Sequence, residues 1–358
     1  MRRHGRSWPA LLAPHLLFLI PELLIATGPF VIQTAGTVAG RARFRMPDFF
    51  YGGQALIEGV MMRGRTTVAM SVRPPDGSIR TLSEALPAAL VHGRFVKVPF
   101  VRGVFVLYET LVIGTRMLMR SAAIAAEGED VQIGKGAMVG AMVVSIGFAV
   151  ALFFVLPLFL STFADAATDS DLLANLVEGG IRLVIFIGYI AVIGTMSDIR
   201  RVFAYHGAEH KAISAHEARE PLTPEAVDRF STAHTRCGTT FILIVVVISI
   251  FFFGLVPRAG VPLWALIASR IILVPIIAAV GYELVRFGAK HYGNRVVRAI
   301  YQPGLWLQAL TTRQPDHSML EVSIASLTSC LDSDRRADDA ATAEPTAAVV
   351  DPTAGIVP

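Results

Sequence analysis

Cysteine is almost missing from this 358-residue chain: only Cys237 and Cys330 are present. Two thiols cannot make a disulfide framework, so a reducing, cytoplasm-facing setting is the simpler reading. Charge is also scarce, at 17% of residues, against 53% apolar residues. Ordinary soluble domains carry about one quarter charged residues. The apolar excess is concentrated in long blocks, which reads as a membrane protein. The formal charge is +4, and nearly all the cations are Arg. That balance suits anionic lipid head groups. No recognised nucleic-acid module accompanies it, so the expected partner is the lipid bilayer and not nucleic acid.

Four blocks reach the length of a span, which needs roughly 20 apolar residues. They are 136–159, 181–196, 239–256 and 263–287. The second is short, and Leu172 to Val177 can extend it. Lys and Arg are absent from 161–180, which instead holds Asp165, Asp169, Asp171 and Glu178. The segment 197–238 carries Arg200, Arg201, Lys211, Arg219, Arg229 and Arg236. Lys290, Arg295, Arg298 and Arg313 follow the fourth block. Positive charge stays inside, so 197–238 and the C-terminal region are expected in the cytoplasm. The expected fold is an α-helical polytopic inner-membrane protein with four transmembrane helices and a small cytoplasmic β-rich module, its N- and C-terminal regions both cytoplasmic.

That module is placed at 46–98. TVAMSVRPPDGSIRTL holds two extended runs around the turn Pro75-Asp76-Gly77. In 99–125, Arg102, Glu109, Arg116 and Arg120 recur at steps of 7, 7 and 4. These steps draw one polar stripe on a helix, which predicts an amphipathic helix in the membrane interface or packed on the other helices. In 288–329, Glu321 to Leu327 (EVSIASL) reads as a strand returning to the sheet, and 330–358 reads as a disordered tail. Residues 1–45 begin with Arg2, Arg3 and Arg6 and continue into an apolar stretch broken by Pro14, Pro21 and Pro29. They imitate a signal peptide, but export would put the next Arg-rich segment on the wrong side. Translation starting at Met46 is the expectation.

The chemistry concentrates in Tyr205 to Lys211, YHGAEHK. His206, Glu209 and His210 stand in the order H-x-x-E-H, the inverted zincin pattern. Residues four apart share a helix face, so both imidazoles reach one metal ion, with Glu209 placed as a general base toward water. His234 and Cys237 form a second ligand-grade pair. The third ligand is sought among His234, Cys237, His216 and Glu283, the last near the cytoplasmic end of the fourth block. Arg286 is the alternative partner of Glu283. The plain alternative for the whole motif is an exposed polar helix, with Glu209 beside Lys211 or Arg200. The expected cofactor is a divalent ion, zinc by ligand type. His92 and His291 have no companions. The glycines of YGGQALIEGVMMRG fit neither a P-loop nor a dinucleotide fingerprint and suit tight turns or close packing. Gln54, Glu58 and Arg63 from that stretch are candidates to face the His segment.

The segments YGGQALIEGVMMRG, RRVFAYHGAEHK, HTRCGTTF, GYELVRF, PGLWLQALTTRQPD and EVSIASL together resemble the bacterial YqhQ-like family. The resemblance covers about Tyr51 to Leu327. The family is one of unknown function, described as predicted metal-dependent membrane enzymes. The resemblance implies a polytopic membrane protein with a metal site at His206, Glu209, His210, His234 and Cys237. It implies no reaction and no substrate. Two functions follow as expectations: a metal-dependent hydrolase at the cytoplasmic membrane face, or a non-catalytic scaffold or assembly factor stabilised by its metal.

Overall fold

A computed structural model describes residues 49, 51–87, 98–127, 135–165, 170–258 and 260–343. The expectations for residues 1–45, for His92 and for the tail beyond 343 lie outside the described residues.

The β-rich module is a four-stranded antiparallel meander, β1 (Gly52–Leu56), β2 (Gly59–Arg63), β3 (Thr67–Val72) and β4 (Arg80–Ala85). Met61 pairs with Met70, and Met70 with Leu82. Strands β2 and β3 read as near-continuous apolar runs, GVMM and VAMSV with only Ser71 polar, because both faces are covered. Val60, Met62 and Ala69 join one core, while Met61, Val68, Met70 and Val72 join another on the opposite face. The β3–β4 turn is the one its Pro-Asp-Gly announces. Gly77 takes φ +82°, its N–H reaches Pro74 O at 3.0 Å, and Asp76 accepts from Ser78 N–H at 2.9 Å.

Helix α1 (Val101–Ala125) covers one sheet face with Met117 and Leu118. Its polar stripe is consumed in ion pairs: Arg102 with Glu283, Glu109 with Arg63 at 2.9 Å, and Arg120 with Glu84. The opposite face of this helix leaves Val104, Phe105, Tyr108 and Val112 exposed.

The helical part follows in order. Helix α2 (Lys135–Val150) runs through a π-turn (Ala151–Val155) into α3 (Leu156–Asp165). Helix α4 (Asp171–Ile193) begins at an N-cap where Ser170 accepts from Leu173 N–H. Helix α5 (Ser197–Glu217) and the single turn α6 (Pro224–Val227) precede α7 (Gly238–Gly254) and α8 (Leu263–Lys290). Among the described residues, three helices are long and apolar enough to cross a membrane: Val139–Phe163, Asp171–Ile193 and Leu263–Gly288. The block expected at 239–256 is apolar but only 17 residues long. The second block starts ten residues before Ile181, because the capped, half-polar turn at Asp171 continues into it as helix.

Helix α9 (Arg295–Thr311) leads to α10 (His317–Ala343), and here two expectations are corrected. Glu321 to Leu327 is helix, not strand, and the helix runs through Cys330 to Ala343 where disorder was expected. Over seven residues the alternating Val and Ile imitate a strand. Over a wider window the buried positions Leu320, Ser323, Leu327, Cys330 and Asp334 step by three and four, which is a helical stripe. That stripe covers the second sheet face. Ser326 Oγ donates to Ala69 O at 3.0 Å, and Ser323 Oγ to Ala208 O at 3.1 Å. Asp334 accepts from Arg65 N–H, Thr66 Oγ1 and the Tyr51 hydroxyl, binding the helix to the β2–β3 turn.

Candidate metal centre

Helix α5 is enclosed on nearly every side, and all residues from Val202 to Ile213 are buried. The exposed-helix alternative for YHGAEHK is therefore corrected. A polar segment survives in that setting only if its groups are paired. His206 Nδ1 lies 2.9 Å from Thr311 O, and His210 Nδ1 lies 2.5 Å from Thr232 O. Lys211 Nζ donates to Asp228 O at 2.6 Å and Oδ1 at 2.9 Å, so its partner is not Glu209. Gly207 is required by close packing, since a Cβ there would sit 2.2 Å from Arg313 O.

The two histidine bonds carry chemical information. A carbonyl oxygen only accepts, so each Nδ1 must carry the proton and each Nε2 presents a lone pair. Metal-binding histidines are held in just this way by backbone carbonyls. His206 Nε2 is 3.3 Å from Cys237 Sγ. The His206–His210 ring centroids are 4.4 Å apart. One ligand atom from each of His206, His210 and Cys237 falls within 4.8 Å of the others. Cys237 is the N-cap of α7, with Sγ accepting from Thr239 N–H at 3.4 Å. The sulfur thus sits at the positive end of a helix dipole. Two imidazole nitrogens and one sulfur fit a zinc-class ion.

Glu209 lies beside this donor set, its Oε2 3.8 Å from His210 Nε2. Burial pushes its carboxyl above the ordinary range, while His206, His234 and the Gly53 N–H pull the other way. Burial also holds His206, His210 and His234 below the usual imidazole range, favouring the neutral form a ligand needs.

The other expected residues fall elsewhere. His234 stacks near His210, with ring centroids 5.5 Å apart. Its Nε2 lies 3.5 Å from Glu217 Oε2, and Glu217 also pairs with the buried Arg236. His234 thus adjoins the His206–His210–Cys237 cluster but lies outside the group whose donor atoms fall within 4.8 Å of one another. Glu283 accepts from Arg102 Nε at 2.7 Å and Phe100 N–H at 3.1 Å, which places its carboxylate at α1 and apart from the His206–His210–Cys237 cluster. His216 packs edge-on against Tyr51. Of the three residues expected to face the His segment, Glu58 does so, accepting from Arg201 Nε at 2.7 Å and Nη2 at 2.6 Å. Arg63 turns to Glu109, and Gln54 lies against Gly114 of α1.

The sequence reading missed three supports. Gly53 donates its N–H to Glu209, and a Cβ there would meet Met61 O at 2.4 Å and Glu209 Cγ at 2.9 Å. Only the Gly-Gly pair hinted at it. Gln308 clamps the His234 backbone, accepting from its N–H and donating to its O, both at 2.8 Å. Thr232 and Thr311 act through carbonyls, which leave no residue signature.

A small sheet sandwiched between helices, joined to span-length apolar helices through a buried His–His–Cys group, defines the class of this protein. It belongs to the family described as "Protein of unknown function (DUF1385)", which matches residues 98–333. The chain is 31% identical over 296 residues to "Uncharacterized protein YqhQ" of Bacillus subtilis (strain 168), covering 78% of this chain and 92% of that one. Neither description names a metal or a reaction. No solved structure matches.

Proposed function

We propose that the protein is a multi-pass inner-membrane protein with a zinc-type hydrolase site at its cytoplasmic face, acting on a peptide or amide bond near the membrane. One observation carries the reading: a buried carboxylate, Glu209, lies 3.8 Å from the ligand atom of His210 within a His206–His210–Cys237 donor set. Three protein ligands leave one position free, the pattern of catalytic rather than structural zinc sites. The bound ion would supply Lewis acidity and make water a stronger acid. His206 and His210 would hold the ion through Nε2, because the Thr311 and Thr232 carbonyls keep the protons on Nδ1. Glu209 takes a proton from water at its carboxylate and returns it to the leaving nitrogen. The Gly53 N–H holds that carboxylate in place.

In this reading, four helices span the bilayer, with α7 as the short one. The sheet, α5 and the C-terminal helices lie inside, and 161–180 lies outside. The Lys and Arg distribution supports that orientation. A Cys at Pro75 should escape an impermeant thiol reagent in intact cells, while a Cys at Ser170 should react. The reverse pattern overturns the orientation.

A second reading has its own support. Cys237 caps α7, so an ion held there ties α5 to a membrane helix with no reaction needed. Glu209→Gln separates the two. By ICP-MS the variant should keep about one zinc-class ion per chain, as a mononuclear site implies. It should also lose turnover of a peptide and amide library that the parent protein cleaves. Loss of the ion makes Glu209 a ligand, and undiminished turnover leaves the scaffold reading.

A further inference from the structure

Helix α9 presents three faces to three surroundings. Tyr301, Gly304, Leu307, Gln308 and Thr311 lie on one side and are buried. Val296, Ile300 and Trp306 lie on another and are 66%, 67% and 67% exposed, with Pro303 exposed between them. Arg295 and Arg298 are exposed on the third. At about 100° per residue, the three large apolar side chains share an arc of about 120°, and the two Arg continue from its edge. A water-facing helix has no use for that middle arc.

The contacts of the buried side fix the level of the helix. The Tyr301 hydroxyl donates to Leu284 O at 3.1 Å and Val285 O at 3.0 Å, near the end of α8. A Cβ at Gly304 would sit 2.5 Å from Thr240 Cγ2, at the start of α7. Gln308 Nε2 donates to Thr240 Oγ1 at 3.0 Å and to His234 O at 2.8 Å. Helix α9 thus crosses from the end of one apolar helix to the start of another. For helices that span a bilayer, that is the level of the lipid head groups, where a Trp ring is at home. The local charge matches this place. From 284 to 315 the chain has no Asp or Glu, but it has Arg286, Lys290, Arg295, Arg298 and Arg313. Basic clusters beside a span attract anionic lipids.

We propose that α9 docks on an anionic bilayer surface, with Val296, Ile300 and Trp306 among the outer acyl carbons and Arg295 and Arg298 against lipid phosphates. The leaflet is the one at the C-terminal end of α8. The same helix ends at the His–Cys group, where Thr311 O accepts from His206 Nδ1 at 2.9 Å and Gln308 Oε1 accepts from His234 N–H. The bilayer surface therefore sets the position of that group. The inference rests on the multi-pass reading, since α8 must cross the bilayer, and is independent of the hydrolase reading.

The test uses the full chain in vesicles of equal phosphatidylglycerol and phosphatidylcholine. Trp8→Phe with Trp264→Phe leaves Trp306 as the sole tryptophan. Trp8→Phe with Trp306→Phe leaves Trp264, 73% exposed at the start of α8, as the control for the span. Dibrominated acyl chains quench from within the bilayer, and acrylamide quenches from water. Trp306 should be quenched more by bromine near the head groups than by bromine near the chain ends, and should be shielded from acrylamide. With bromine on one lipid at a time, its neighbours should show phosphatidylglycerol enriched about five-fold, the scale of one basic side chain near an anionic surface. Arg295→Gln with Arg298→Gln should at least halve that enrichment. Quenching of Trp306 by acrylamide alone overturns the proposal, and so does strongest quenching from the chain ends. Protection from both quenchers also overturns it and assigns the face to a second copy or another protein. Unchanged enrichment in the double Arg variant overturns the anionic-lipid assignment. If the lipids quench Trp264 but not Trp306, this inference alone falls. If they quench neither, the multi-pass reading falls with it.

Discussion

The His–Cys group and the Arg–Glu group, where Glu178 accepts from Arg182, Arg258 and Arg270, are equally buried, but their contents are opposite. At the first, backbone carbonyls take the Nδ1 protons, and lone pairs from His206, His210 and Cys237 converge. At the second, guanidinium N–H groups converge, and one carboxylate serves three of them. Burial raises the cost of any unmatched group at both places. What converges decides the sign of charge each group attracts: acceptors attract a cation, donors an anion. The first group is also fixed by backbone atoms, whereas the second is built almost wholly of side chains. Substitution should therefore disturb the second more broadly.

The comparison breaks most easily at Glu178. Glu178→Gln leaves three buried guanidiniums without their carboxylate and should destabilise the protein by about 3–5 kcal/mol. Thermal unfolding in detergent reads this directly, and an unchanged midpoint removes the charge-held account of that group. Next in size, His206→Ala and His210→Ala should each lose the zinc-class ion by ICP-MS. They should also lose the stabilisation it gives, about 2.7 kcal/mol when free metal is a hundred times its dissociation constant. Full retention of the ion in both variants would end the metal reading.

Gly53→Ala sharpens the contrast between positioning and ligation. The new Cβ meets Met61 O, which cannot yield without moving the sheet. About 1–3 kcal/mol of stability should go, the usual cost of overpacking. The ion should stay while Glu209 is displaced, which shows as retained metal with reduced turnover. The smallest effect belongs to Arg102→Gln. Its pair with Glu283 is partly exposed and should be worth at most about 1 kcal/mol. Metal content should not change; its loss would return Glu283 to the ligand set.

Much of the site was legible because its chemistry is local. His206, Glu209 and His210 occupy five consecutive positions of one helix, and the four-residue step alone sets both imidazoles on one face. Cys237 was legible as a candidate, but its place beside both imidazoles, away from Glu283, was not. That placement depends on where α7 begins and which way α8 faces, which are matters of packing between distant segments. Of the Arg–Glu group, only Glu178 entered the sequence analysis, as one of the acidic residues of 161–180. Arg182 and Arg270 are 88 positions apart and meet solely through the packing of α4 and α8 around Phe253. The strand expected at Glu321 to Leu327 failed because a seven-residue window cannot separate alternation from a helical stripe when both faces hold small residues.

By itself the sequence determined the apolar helices, the Pro75–Gly77 hairpin and the donor residues on α5. Each rests on periodicity or turn chemistry within about 20 residues. Tertiary structure alone decided that YHGAEHK is interior, that its imidazoles point their lone pairs at Cys237, and that Glu209 is held by a glycine from β1. These depend on carbonyls and N–H groups that every residue carries. No side-chain pattern can announce them, and only the folded chain brings them within hydrogen-bonding distance.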